Sequence, residues 1–242
     1  MTITSPHPIV IDGLSFRYPD GRIALSDISF TIEPYEKVAL IGTNGSGKST
    51  LLLHLNGVLR ANTGTVSICG VPMSDKTIAE IRAWVGLLFQ NPDDQLFSLS
   101  VYEDVAFTAR YRGLPEQEVE KHVAAALAMV GMGGYADRIP YHLSVGEKKR
   151  IALATILGLD TRILALDEPS AGLDPRARRD LIALLKTLSQ QTMLISTHDM
   201  RLAAELCTRA IILDEGVIVA NGLTETLLND PVLMEKHGLE TP

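Results

Sequence analysis

Cysteine is scarce. The chain has two in 242 residues, Cys69 and Cys207, and neither sits in a metal-ligand spacing. That excludes a disulfide scaffold and a cysteine-based zinc site. Aromatic residues are few as well, at 5%. No segment approaches the roughly 18 consecutive apolar residues that cross a bilayer. The longest candidates, such as residues 151–159, fall well short. Residues 1–8 lack a basic stretch leading into an apolar one, so no export leader is expected there. An excess of positive charge is also missing: 22 Lys and Arg against 29 Asp and Glu give a net charge of −7. Phosphate backbones are bound by basic surfaces, so no nucleic-acid partner is expected. The run Lys148-Lys149-Arg150 is locally basic, but consecutive helical residues point in different directions, and it reads as a solvated face. Repeats and low-complexity segments are absent. The remaining composition, 46% apolar and 21% charged, is that of a globular domain with a real core. The chain reads as cytoplasmic, with any membrane role coming through a partner.

Short apolar runs alternate with amphipathic stretches, the pattern of an α/β domain. Residues 38–41 read as a buried strand, followed by a glycine-rich turn and a helix from about Lys48. Similar strand-like runs lie at 84–89, 163–166, 193–196 and 210–213. Their apolar residues are continuous rather than alternating, which suits central parallel strands covered on both faces. Residues 9–16, 24–32 and 65–69 read as strands without helices between them, so an antiparallel subdomain is expected there. Between about Val101 and Leu143 the pattern turns helical, with Val119, Val123, Leu127 and Val130 at helical spacing. Residues 137–141 read as a loop.

Gly42-Thr43-Asn44-Gly45-Ser46-Gly47-Lys48-Ser49-Thr50 fits G-x-x-x-x-G-K-[ST]. Glycines let the backbone curl so that successive N–H groups point at one anion. The helix that follows offers its positive end to phosphate. Lys48 then reaches the β- and γ-phosphates and the Ser49 hydroxyl coordinates Mg²⁺. The expected ligand is ATP. Tyr18, in an early loop, offers a face on which adenine stacks for about 1–3 kcal/mol. Taken alone, it reads as a partly buried surface aromatic.

Ile163-Leu164-Ala165-Leu166-Asp167-Glu168 is an apolar strand ending in two acids. Charge at the tip of a buried strand is costly unless a cation or donors meet it. Asp167 is expected to face Mg²⁺, and Glu168 to take a proton from the attacking water. His198 follows the strand at 193–196 and is placed to bond the γ-phosphate. Gln90 ends the strand at 84–89 and is placed to ligate Mg²⁺. Each of these last two, without the other motifs, reads as structural.

Leu143-Ser144-Val145-Gly146-Glu147 separates this chain from other P-loop ATPases. Ser144 and Glu147 form an S-x-x-E capping box for the helix that begins there, and Gly146 leaves backbone exposed beside its positive end. The segment resembles the signature motif of the ABC family, usually LSGGQ, with Val145 in place of a Gly and Glu147 in place of Gln. Ser170-Ala171-Gly172-Leu173-Asp174-Pro175 resembles that family's D-loop; Asp174 before Pro175 also reads as a helix N-cap. The resemblance spans about residues 9–222. It implies an ABC ATPase domain over 1–222, with a RecA-like mixed sheet, an N-terminal antiparallel β subdomain and a helical subdomain over about 91–158. A short helical tail over 223–242, two small helices around Asn229-Asp230-Pro231, follows. It also implies that Ser144 and Gly146 close on ATP held by the opposite subunit of a dimer, made with itself or with a paralogous ATPase.

Phe89-Gln90-Asn91-Pro92-Asp93-Asp94-Gln95-Leu96-Phe97, residues 101–107 and Glu147-Lys148-Lys149-Arg150 resemble the ATPase subunits of energy-coupling-factor importers, including cobalt and nickel systems. That resemblance implies a transmembrane coupling subunit, a separate membrane subunit that captures the substrate (a transition metal ion or a vitamin), and a place on the cytoplasmic face of the membrane. Leu96 and Phe97, apolar in an expected exposed loop, are candidates for the docking surface. Two alternatives compete. An ABC ATPase of a soluble machine usually carries a coiled-coil insertion or a tandem second domain, and neither fits in 242 residues. A non-hydrolysing regulatory module is disfavoured by Lys48, Glu168 and His198 together.

Overall fold

The computed structural model describes residues 7–158 and 161–240. Most of residues 1–8, the end of the apolar run at 151–159 and the last two residues of the tail lie outside them. The chain opens with β1 (Ile9–Arg17) and β2 (Ile23–Ile32), then passes through β3 (Lys37–Ile41) and α1 (Lys48–Leu55). It returns as β4 (Thr63–Ile68) and β5 (Val71–Pro72); α2 (Ile78–Trp84) then runs into β6 (Val85–Leu88). Three helices follow, α3 (Val101–Tyr111), α4 (Glu116–Met129) and α5 (Val145–Ile156). The second half is β7 (Ile163–Asp167), α6 (Pro175–Thr187), β8 (Thr192–Thr197), α7 (Met200–Leu206), β9 (Arg209–Asp214) and β10 (Val217–Leu223), closed by α8 (Thr224–Leu228) and α9 (Pro231–Lys236).

Two sheets form. One has the order β2-β1-β4-β5 and is antiparallel. The other has the order β10-β9-β3-β8-β7-β6, parallel from β9 to β6, with β10 antiparallel at one edge. The β3 residues Val38 to Ile41 are fully buried because the two faces belong to different cores. Val38 and Leu40 pack with the antiparallel sheet and α1. Ala39 and Ile41 pack with the core of the helical side. Continuous apolar sequence is the direct consequence.

The register brings the chemistry to one edge. Ile41 pairs with Thr197, Asp167 with Ser196, and Leu88 with Leu166. The segments that leave β3, β7, β8 and β6 therefore emerge side by side at the carboxyl ends of the strands, where open α/β sheets bind ligands.

The structure corrects four expectations. Trp84 ends α2 rather than opening a strand, because helix and strand join with no loop between them. β3 and α1 intervene between the second and third strands of the antiparallel sheet. Leu96 is a core residue at 8% exposure, whereas its neighbour Phe97 is 70% exposed. Lys148 and Lys149 are buried rather than solvated. Among the described residues no helix is long and apolar enough to cross a membrane.

Candidate functional site

The turn between β3 and α1 is built around glycines whose absent side chains are required. A Cβ on Gly42 would lie 2.2 Å from the Leu213 carbonyl oxygen, and one on Gly47 would lie 2.6 Å from that of Ala24. Gly45 and Gly47 also have positive φ, 85° and 107°. Gly47 caps α1 without any side-chain bond, and the first turn holds no acidic residue. The leading N–H groups of the helix are thus left free of side-chain partners, as an anion site needs. Lys48 is buried, and its Nζ donates to the carbonyls of Gly42 at 2.8 Å and Thr43 at 3.0 Å. Burial pushes its pKa down, against the pull of Glu168 and Asp167.

A cleft of about 340 Å³ is lined by Tyr18, Asn44, Gly45, Gly47, Lys48, Ser49, Thr50, Gln90 and Glu168. Tyr18 is fixed in it by a 3.0 Å hydrogen bond between its hydroxyl and Thr50 Oγ1. The Arg22 guanidinium lies 4.7 Å over its ring. Gly42, Thr43 and His198 line the neighbouring cleft on the other side of the loop, which Asn44 shares. Ser46 is buried within the turn.

Ser49, Gln90 and Asp167 border one small recess. All three offer oxygen, which suits Mg²⁺. Asp167 is buried and its Oδ1 accepts from the Ser196 hydroxyl. Among the described residues no group of three His, Cys, Asp or Glu forms a metal cage. One carboxylate plus neutral oxygens is the donor set of a magnesium that completes its shell with water and phosphate.

Glu168 is buried with a left-handed φ of 46°. Such a conformation costs on the order of 1–3 kcal/mol and persists when surroundings over-determine it. They do so here. Its N–H donates to Ser196 O at 3.1 Å and to Ser196 Oγ at 3.2 Å. Its carboxylate lies 2.8 Å from His198 Nδ1. Its carbonyl accepts from Lys149 Nζ at 2.7 Å. His198 therefore meets Glu168 directly, a contact the sequence did not announce.

Ser144, Gly146 and Asp174 line a separate cleft with Glu147, Arg150 and Tyr135. α5 begins there with the expected capping box: Ser144 N–H and Oγ donate to Glu147 Oε2 at 2.9 and 2.7 Å, and Glu147 N–H donates back to Ser144 Oγ at 3.4 Å. Tyr135 adds a 2.7 Å bond to Glu147 Oε1, and that hydroxyl, followed by Ser144, holds the Glu147 carboxyl below its usual range. Val145 sits in the first turn of α5, 48% exposed, so the helix accommodates a side chain there. A Cβ on Gly146 would meet only Ala177 and Leu173, both at an ordinary 3.6 Å. Among the described residues, nothing stands where that glycine's side chain would be. Asp174 caps α6 through the N–H groups of Arg176 and Ala177 at 2.8 and 2.9 Å, and these bonds hold its pKa down.

Sequence reasoning missed the ties between α5 and the rest of the site. Lys148 Nζ donates to Asp93 Oδ1 at 2.7 Å. Gln95, not Gln90, anchors the loop after β6, donating to Ala152 O at 2.8 Å and Thr155 Oγ1 at 2.7 Å.

The family model for the ABC transporter matches residues 25–171, which include the glycine-rich turn, the capping box and the two acids. The chain belongs to the ABC transporter ATP-binding family. It is an ATPase subunit of a transporter. The energy-coupling factor transporter ATP-binding protein EcfA of Methanothermobacter thermautotrophicus is 47% identical over 238 residues, covering 97% of this chain and 76% of that one. The structure of CbiO1 from Clostridium perfringens, part of the ABC transporter complex cbiONQ, aligns with TM-score 0.84 at 35% identity, covering 96% of this chain and 94% of that one. A dimeric ATP-binding cassette in a post-hydrolysis state with ADP and Pi aligns with TM-score 0.81 at 27% identity, covering 89% and 98%.

Proposed function

We propose that this ATPase powers an importer of the energy-coupling-factor type, at the cytoplasmic face of the membrane, for a transition metal ion or a vitamin. The kinship to EcfA and CbiO1 supports the importer type. The observation that carries the chemistry is the convergence of β3, β7 and β8, which sets the Lys48 turn, Asp167 and Glu168, and His198 at one sheet edge.

On this reading the turn from Gly42 to Thr50 holds the phosphates of ATP, with Lys48 leaving its carbonyl partners for the β- and γ-phosphates. Tyr18 stacks on adenine once Arg22 yields its ring face. Ser49, Gln90 and Asp167 would hold Mg²⁺, which when bound neutralises charge on the phosphates. Glu168 takes the proton of the attacking water, and His198, 2.8 Å away, orients the carboxylate and bonds the γ-phosphate. Ser144, Gly146 and Asp174 face ATP in a second subunit. The open backbone at Gly146 favours such an approach.

The docking surface for the membrane coupling subunit is an aromatic row rather than the Leu96–Phe97 pair. Phe97, Phe107 and Tyr111 are exposed. Phe97 meets Phe107 edge-on at 5.5 Å, and Phe107 stacks on Tyr111 at 6.5 Å. Apolar surface beside the Gln90 loop suits a helix of a partner.

The direct test is Glu168→Gln. It keeps ATP affinity and lowers turnover by about 100-fold or more, since the amide cannot take the proton. A variant hydrolysing at the wild-type rate would remove Glu168 from this role.

A further inference from the structure

Lys149 is 3% exposed. Lysines are rarely buried without a partner, because an enclosed ammonium is costly. Its partner is the backbone carbonyl of Glu168, 2.7 Å from Nζ. The other restraints on Glu168 are Ser196 on its N–H, His198 on its carboxylate, and the Ala171 N–H, which donates to the second lone pair of the same carbonyl at 3.1 Å. Only the Lys149 bond comes from α5, the helix whose first turn carries Ser144 and Gly146. At 1.5 Å per residue, Ser144 and Lys149 are about 7.5 Å apart along one rigid helix.

We propose that Lys149 is a positioning residue for hydrolysis. Through the Glu168 carbonyl it ties the position of the signature helix to the carboxylate of the same subunit, so a glutamate is set correctly when its own α5 has closed on the partner's ATP. This rests on the proposed role of Glu168. A peptide at φ 46° is kept by its contacts, and a shift of α5 pulls its carbonyl and turns the attached Cα–Cβ bond. Displacements of about 1 Å at a reacting group change rates by up to about 100-fold. The two ATP sites of a dimer are coupled by this means without any ligand touching Lys149.

The experiment measures kcat, KM for Mg-ATP, ATP-driven dimerisation and melting temperature for Lys149→Met, which keeps shape without a donor, and Lys149→Gln, which restores a neutral donor. The expected result for Lys149→Met is a kcat lower by about tenfold, with KM within about twofold and dimerisation unchanged. Lys149→Gln recovers most of that loss. A Lys149→Met kcat within about twofold of wild type overturns the proposal, as does equal slowing of the Met and Gln variants at equal stability. Should Lys149→Met fail to fold, Lys149→Arg serves, since its donors sit at a different reach: a lower kcat at unchanged KM supports the tether and an unchanged kcat overturns it. Glu168→Gln, run alongside, separates the two readings. If it hydrolyses normally, the base assignment falls; if it is inactive while Lys149→Met is unimpaired, the tether alone falls.

Discussion

α1 and α5 both carry a glycine at their start, and both are proposed to present a helix N-terminus to phosphate, yet the two ends are finished differently. α1 is capped by Gly47 with no side chain and has no acid in its first turn, so its N–H groups remain available. α5 consumes part of its own capacity: Ser144 and Glu147 cap each other, and a carboxylate stands at the third position. The lysines differ in the same sense. Lys48 lies against the carbonyls of its own turn, ready to exchange them for phosphate, whereas Lys149 is committed to the Glu168 carbonyl. The difference teaches that a helix end is not an anion site by itself. On the proposed reading the end of α1 is a site on its own, and the end of α5 is one half of a site, completed by ATP that another subunit presents.

Two substitutions sharpen this contrast. The larger effect is expected from Lys48→Ala. It should weaken ATP binding by about 100-fold in equilibrium titration, because a charge-assisted contact to phosphate worth roughly 2–3 kcal/mol is lost. An unchanged affinity would erase the distinction between the two helix ends. The smaller is Glu147→Gln. A carboxylate only accepts, so it holds the Ser144 hydroxyl proton toward itself. An amide removes the charge and frees that proton for phosphate. ATP-driven dimerisation should strengthen by about three- to tenfold, an effect of roughly 1 kcal/mol, with ATP affinity of the monomer unaltered. Weaker dimerisation would mean that the capping role of Glu147 outweighs its charge.

The sequence made the two helix ends legible for different reasons. The turn at Gly42–Ser49 and the capping box at Ser144–Glu147 are local: the spacing of the residues is the geometry. The acids at the end of β7 were legible because of context: an apolar run ending in Asp-Glu is weak evidence alone, and it gains its meaning from following a P-loop about 100 residues upstream. The ties between elements were not legible. Lys149 reads as solvent-facing until the packing of α5 is known, and nothing in the sequence pairs it with the Glu168 carbonyl. Leu96 and Phe97 are adjacent yet one is in the core and the other outside it, a choice made by the backbone N–H groups of Phe97 and Ser98 bonding Asp104 at 3.2 and 3.0 Å. β10 was overlooked although Asp214-Glu215-Gly216 carried a signal. Both central residues of that turn have positive φ, 45° and 79°, as a tight hairpin between β9 and β10 demands.

The central claim is that the α5 end acts on ATP held by a second subunit. Sedimentation of the Glu168→Gln protein, with and without saturating Mg-ATP, tests it most directly when Ser144→Arg is added on the same background. Glu168→Gln is expected to form an ATP-dependent dimer, and the double variant to remain a monomer that still binds ATP at its α1 turn, because the arginine fills the phosphate surface of α5. A Glu168→Gln protein that stays monomeric with ATP bound would exclude a homodimer and leave a pair with a paralogue; a double variant that dimerises as its parent does would contradict the claim.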